Sequence, residues 1–251
     1  AGVALQVAGG SGQRHSPQWG YDAARNRVLV FGGYGSHYPD GPWEYLNDVW
    51  QLSLDGTPQW TEIIPAGQPP SGRLAGAAVF DPMRQRFVGF GGTIGEPTDT
   101  WVLNLQDVGQ ENWESLPTQG ESPSGRYGTA SVYDAKRDRM LIFGGSIGDS
   151  YYGALDDVWE LDLSGDPTWH EIATAGTPPQ ARRSGTAIYD PLRDRMIIYG
   201  GAVATLEGGF DTFMADTWAL DFTVDPPTWS ATAASGWATC RRTVATRSSS
   251  T

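Results

Sequence analysis

The chain is 251 residues long and contains one cysteine, Cys240, one lysine, Lys136, and three histidines. A lone cysteine excludes an internal disulfide framework and leaves the redox compartment open. No apolar run approaches 18 residues, so no helical membrane span is encoded. Basic side chains number 17 against 29 acidic ones, a net charge of −12, and the arginines are dispersed along the chain. That balance disfavours a nucleic-acid partner. His15, His37 and His170 show no Ser/Cys–His–acid spacing, which leaves nucleophilic catalysis without support. A Cys/His cluster and an EF-hand spacing are both missing, so neither metal nor cofactor is expected. The arginine bias points to a GC-rich bacterial source.

What the chain has in abundance is glycine, 33 residues, and tryptophan, 11 residues. Both are periodic. Arg14, Arg73, Arg126 and Arg182 each stand 8 residues before an aspartate and 18 before a glycine pair (Gly32-Gly33, Gly91-Gly92, Gly144-Gly145, Gly200-Gly201). A first tryptophan follows (Trp50, Trp101, Trp159, Trp218), then a second (Trp60, Trp113, Trp169, Trp229), and the next arginine comes 13 residues later. Self-similarity at this period marks a repeat architecture. Most of the length variation falls between the glycine pair and the first tryptophan: 18, 10, 15 and 18 residues. A segment that tolerates insertion reads as an exposed loop.

The constant segments read as strands. Thr129–Tyr133 is β-prone and followed by a turn; Arg139–Phe143 is apolar, as a strand buried on both faces should be. Asp157–Leu163 alternates at period two, and Trp169–Ile172 closes the unit. With strands named A to D in order, the repeat is a four-stranded antiparallel meander, and such sheets pack radially as propeller blades. The expected fold is all-β: four complete blades (14–71, 72–124, 125–180, 181–236), with partial blade strands at 1–8 and 243–251. Those stubs favour a fragment of a larger propeller.

The glycine pair after an apolar strand, the Asp-Val-Trp or Asp-Thr-Trp of strand C (Asp48, Asp99, Asp157, Asp216) and the spaced second tryptophan together resemble the kelch repeat. The resemblance covers roughly residues 9–242. It implies a platform that carries unrelated activities. Copper oxidases of the galactose oxidase type use two histidines, tyrosines and a Tyr–Cys crosslink. Cys240 lies where the repeat has degenerated, so that copper site does not carry over.

Strand A begins and strand B ends on the same side of a blade, so one face gathers the arginines and the variable B–C loops. Aromatics that occur once in these loops are not demanded by the blade. They are Tyr34, Tyr38, Trp43 and Tyr45 with His37 in the first loop, Tyr151 and Tyr152 in the third, and Phe210 and Phe213 in the fourth. Rigid aromatic anchors of this kind suit protein and sugar interfaces. The ring of Arg14, Arg73, Arg126 and Arg182 admits two readings, bidentate capture of a carboxylate or phosphate and a structural pin. The expected function is a non-catalytic, monomeric binding module for a protein or peptide, with a secreted carbohydrate-binding module as the alternative.

Overall fold

The computed structural model describes residues 10, 12–37, 41–92, 98–147, 153–204 and 211–232. Every regular element among them is a β-strand. Blade I comprises β1 (Gln13–His15), β2 (Gln18–Asp22), β3 (Arg27–Ser36), β4 (Glu44–Ser53) and β5 (Gln59–Ile63). Blade II comprises β6 (Ala77–Asp81), β7 (Arg86–Phe90), β8 (Thr100–Asn104) and β9 (Asn112–Ser115). Blade III comprises β10 (Ala130–Asp134), β11 (Arg139–Ser146), β12 (Ala154–Asp162) and β13 (Thr168–Glu171). Blade IV has β14 (Thr186–Asp190) and β15 (Arg195–Tyr199), then the small hairpin β16 (Ala202–Ala204) and β17 (Asp211–Phe213). It ends with β18 (Thr217–Asp221) and β19 (Thr228–Ala231). Each sheet is an antiparallel meander, and β2, β6, β10 and β14 line a shared central channel. The architecture is a four-bladed β-propeller. The segments 1–8 and 243–251, expected as partial strands, lie outside the described residues.

Strand A turns into strand B through an aspartate that ties its own hairpin. Asp22, Asp81, Asp134 and Asp190 accept from Arg27, Arg86, Arg139 and Arg195 at 2.9, 2.9, 2.8 and 3.1 Å. The last turn residue, Asn26, Gln85, Asp138 or Asp194, has φ between 43° and 52°, the left-handed region that Asn and Asp tolerate better than most.

In blades I and III the glycine pair is a bulge, whereas in blades II and IV strand B ends just before it, as expected from the sequence. In blades I and III the register shifts between Phe31 and Gly33 and between Phe143 and Gly145, and pairing then resumes. Gly144 has φ +63°, and a Cβ there would stand 2.7 Å from the Arg182 carbonyl oxygen and 2.8 Å from that of Leu155. No side chain fits at that approach. Strand B stops at Phe90 in blade II, where the following segment is shortest. Much of the predicted first loop is therefore hairpin: Tyr34 pairs with Tyr45 and Gly35 with Glu44.

Four blades make three core junctions. Leu29, Phe31 and Val49 of blade I pack on Phe80, Phe87 and Trp113 of blade II. Val79, Val88 and Phe90 then meet Met140, Ile142 and Trp169. Val132, Leu141 and Phe143 meet Met196, Ile198 and Trp229. Among the described residues no such cluster joins blade IV to blade I. Each junction centres on one ring pair, Phe31–Trp113, Phe90–Trp169 and Phe143–Trp229, with centroids 4.8, 4.9 and 5.2 Å apart. A second interlock sits at the turns. Arg25 reaches Gln85 and the Leu105 carbonyl, Arg84 reaches Asp138 and the Leu163 carbonyl, and Arg137 reaches Asp194 and the Phe222 carbonyl.

These charged turns make stability pH-dependent. Hydrogen bonds from Arg84 and Arg137 hold the Asp138 and Asp194 carboxyls below the ordinary range. A carboxyl depressed in the folded state contributes stability above its unfolded pKa, about 4, and loses it as pH falls through the folded value. The melting temperature should stay level down to about pH 5 and fall below about pH 4. A melting series that stays flat into that acid range would show these pairs to be energetically idle.

Candidate functional site

The four arginines are built alike. Arg14, Arg73, Arg126 and Arg182 donate from Nη1 to the carbonyl of the first glycine of the pair, at 2.9, 3.2, 3.2 and 2.9 Å. The same guanidiniums pair with Asp48, Asp99, Asp157 and Asp216 at 2.7, 3.1, 2.6 and 2.6 Å. Each of these aspartates also accepts the indole N–H of the tryptophan two residues on. The motif that marks the repeat is thus one hydrogen-bonded unit tying the entry of strand A to strands B and C. The arginine side chains are buried and their forks are engaged within their own blades. The first tryptophans are only half-buried, whereas Trp113, Trp169 and Trp229 are buried.

The loop face is most elaborate above blade I. There β1 adds to the far end of β3, with Arg14 opposite Gly35 and His15 opposite Tyr34. Successive residues on a strand point to opposite faces, so Arg14 turns inward to its pin while His15 turns outward. His15, Tyr34 and Tyr45 form one row across three strands. Ring centroids are 5.6 Å apart for His15–Tyr34 and 5.2 Å for Tyr34–Tyr45. Trp43, just before β4, completes the group at 5.9 Å from His15 and 5.6 Å from Tyr34. Trp43 and Tyr45 nevertheless stay 47% and 44% exposed. The four rings make a preformed aromatic shelf.

Beneath it lies Asp48. Burial pushes its carboxyl up, but hydrogen bonds from Arg14 and Trp50 prevail and hold it below the usual carboxylate range. His37 stands 3.5 Å from the same carboxylate through Nδ1. The shelf therefore rests on a fixed ionic floor. At Gly72, in the linker entering blade II, a Cβ would lie 2.0 Å from the Tyr45 carbonyl oxygen, so the next blade abuts the shelf through bare backbone.

The structure brings together Tyr34, His37, Trp43 and Tyr45 with Arg14 below them. Phe213 lies on β17 of blade IV and is highly exposed. Tyr38, Tyr151, Tyr152 and Phe210 lie outside the described residues. His15 escaped the sequence reading as a shelf member because it belongs to the constant segment. Its neighbour Arg14 was the available signal: when one residue of a strand is pinned inward, the next faces out. The same position holds Tyr127 and Arg183 in blades III and IV, and the Arg183 guanidinium lies 6.0 Å from the Tyr127 ring centroid.

The comparisons with known proteins agree with this repeat chemistry. The family model described as the KLHDC2/KLHL20/DRC7 Kelch-repeats domain matches residues 83–249. The chain belongs to the kelch-repeat family. Among its kelch relatives, Adagio-like protein 3 of rice is 30% identical over 214 residues, covering 80% of this chain and 31% of that protein. Human host cell factor 2 is 30% identical over 207 residues, covering 73% of this chain and 24% of that protein. The chain thus spans a third or less of the curated relatives it matches. The solved structure of YjhT superposes with a TM-score of 0.60 at 19% identity, covering 83% of this chain and 69% of YjhT. These curated relatives are eukaryotic and lend no support to the bacterial source that the arginine bias suggests.

Proposed function

We propose that this kelch propeller is a protein- or peptide-binding module whose contact surface is the loop face above blade I. Kelch-repeat proteins are protein-interaction modules in general. The observation that carries the specific site is the shelf of His15, Tyr34, Trp43 and Tyr45, preorganised by mutual ring contacts yet left half-open to solvent. Rigid aromatics bury much area while losing little rotamer freedom on binding, which is why they dominate interface hot spots. His37 extends the site at its edge, and the buried Arg14–Asp48 pair holds its floor. The exposed Phe213 of blade IV supplies a further apolar contact. Recognition works by aromatic anchoring rather than by charge, since the repeat arginines are occupied in their own blades.

The test begins with a displayed random-peptide library panned on the protein, followed by titration of the tightest peptide. Trp43→Ala is expected to weaken that peptide by about 2 kcal/mol or more. Because Trp43 stands outside the blade core, its melting should change by only ~0.5 kcal/mol, as for other surface substitutions. If Trp43→Ala binds the peptide as tightly as the parent chain, the site assignment is wrong. A glycan array on the same protein tests the sugar-binding alternative directly: binding lost in Trp43→Ala would put a sugar on this shelf.

A further inference from the structure

At the opposite end of the strands from the aromatic shelf, blade II holds an arginine whose fork is left open. Each blade begins strand B with an arginine, and its Nε donates to the strand A aspartate of the same hairpin. The terminal nitrogens are served differently. In blade I, Nη1 of Arg27 donates to Gln51 Oε1 at 2.6 Å, and in blade III, Nη1 of Arg139 donates to the Glu160 carboxylate. Gln51 and Glu160 each follow the first tryptophan of strand C. In blade II that position is Val102, which is buried in the core and has no side-chain oxygen to offer. Among the described residues nothing accepts from Nη1 or Nη2 of Arg86, although its side chain is only 12% exposed. A charged donor so far withdrawn from water costs stability unless an acceptor meets it.

Arg86 opens on a cleft of about 340 Å³, at the small end of the roughly 300–1,000 Å³ that ligand sites span. Blades I and III flank blade II on both sides. Cross-strand pairing sets Arg86, Asn104 and Asn112 in one row on the same face of the sheet. Where blades III and IV place Asp162 and Asp221 opposite this arginine, blade II places the neutral Asn104. Gln106, Asp107 and Gln110 of the next loop complete the lining with Arg84. Arg84 is already engaged by Asp81 and Asp138. The loop itself is fixed: Gln106 Nε2 donates to the Arg84 carbonyl at 3.1 Å, and Arg25 of blade I donates to the Leu105 and Gln106 carbonyls at 2.9 and 3.1 Å.

We propose that this cleft binds a small hydroxy or amino acid, whose carboxylate takes on Arg86 the place that Glu160 takes on Arg139. The two terminal nitrogens form a planar fork that matches a carboxylate. The side-chain amides of Asn104, Gln110 and Asn112 can donate to it or accept from its neighbours. Asp107 accepts only, so it selects a ligand that carries a hydroxyl or ammonium beside its carboxylate. Its charge also repels a dianion such as phosphate.

Titration of isotope-labelled protein, read at the side-chain amide signals of Gln110 and Asn112, tests the proposal. Sodium glycolate and L-serine should shift both signals to saturation, sodium acetate should bind more weakly, and phosphate should leave them in place. Asn104→Asp sets a carboxylate opposite Arg86, as Asp162 stands opposite Arg139, and should abolish the shifts without lowering the melting temperature. This variant leaves the Arg86–Asp81 bond intact, so it carries the test even if changes at Arg86 disturb the hairpin. Arg86→Lys keeps the charge but loses the fork and should weaken glycolate roughly tenfold. Asp107→Asn should admit phosphate. A parent chain that shows no saturable shift with either acid at tens of millimolar overturns the proposal, as does an Asn104→Asp variant that binds like the parent. Phosphate binding the parent as tightly as glycolate overturns the assignment of ligand class.

Discussion

Replacing Trp169 with alanine is expected to lower the free energy of unfolding by about 3–5 kcal/mol, the range for emptying an aromatic site in a core. Trp169 is among the largest fully buried side chains. Its ring meets Phe90 at 4.9 Å, and the cluster around it draws on both blade II and blade III. Collapse cannot refill the space, because the linker from blade II into blade III is pinned close by. Gly120 has φ +76°, and a Cβ there would lie 2.5 Å from the Trp169 carbonyl oxygen. Equilibrium urea unfolding checks this through a lower midpoint at similar slope. A loss under about 1 kcal/mol would mean that the inter-blade junction is not the core it is described to be.

Asp157→Ala is expected to cost a similar amount, about 3–5 kcal/mol, because it strands a buried charge rather than emptying a cavity. The Arg126 side chain is almost wholly enclosed, and Asp157 is its charge partner at 2.6 Å. Without the carboxylate the guanidinium keeps only neutral acceptors, Ser124 and the Gly144 carbonyl. The Trp159 indole N–H loses its acceptor too. Asp157→Asn should recover part of the loss, since an amide oxygen still accepts. Asp216→Ala should cost less, because that carboxylate is more open to water than Asp157 and screening weakens exposed pairs. Urea midpoints for the three variants give the ranking. A near-neutral Asp157→Ala would instead leave Arg126 available to an outside anion.

The repeat made the blade legible because its determinants are local and periodic. Arg139–Phe143 and Asp157–Leu163 were readable as strands from hydrophobic patterning, and both lie within or across observed strands. The glycine pairs were taken for strand ends, which holds in blades II and IV, while in blades I and III they are bulges. A bulge and a stop demand the same φ > 0 glycines, and only the pairing beyond separates them. That is why the Tyr34–Tyr45 stretch read as a loop. Its aromatics were singled out because the blade does not demand them, and Trp43 and Tyr45 are about half exposed, but their convergence with His15 depends on cross-strand register. Register is set by where β1 meets β3, and no single stretch of sequence encodes it. The pinning of the four arginines was one of two readings until the partner aspartates were placed, since those lie 26 to 34 residues away.

Three junctions among four blades also set how this molecule comes apart. In a one-dimensional array with nearest-neighbour coupling, each unit is stabilised by its own fold plus the contacts on either side. Among the described residues blades II and III are clasped from both sides. The aromatic shelf stands instead on the far ends of β3 and β4, where Trp43 and Tyr45 are about half exposed. Amide exchange would be slowest in β7 and β11 and faster where these strands carry Tyr34 and Tyr45. Whatever settles on that shelf gains by quieting this outlying hairpin, so occupancy and its local opening are two readings of one equilibrium.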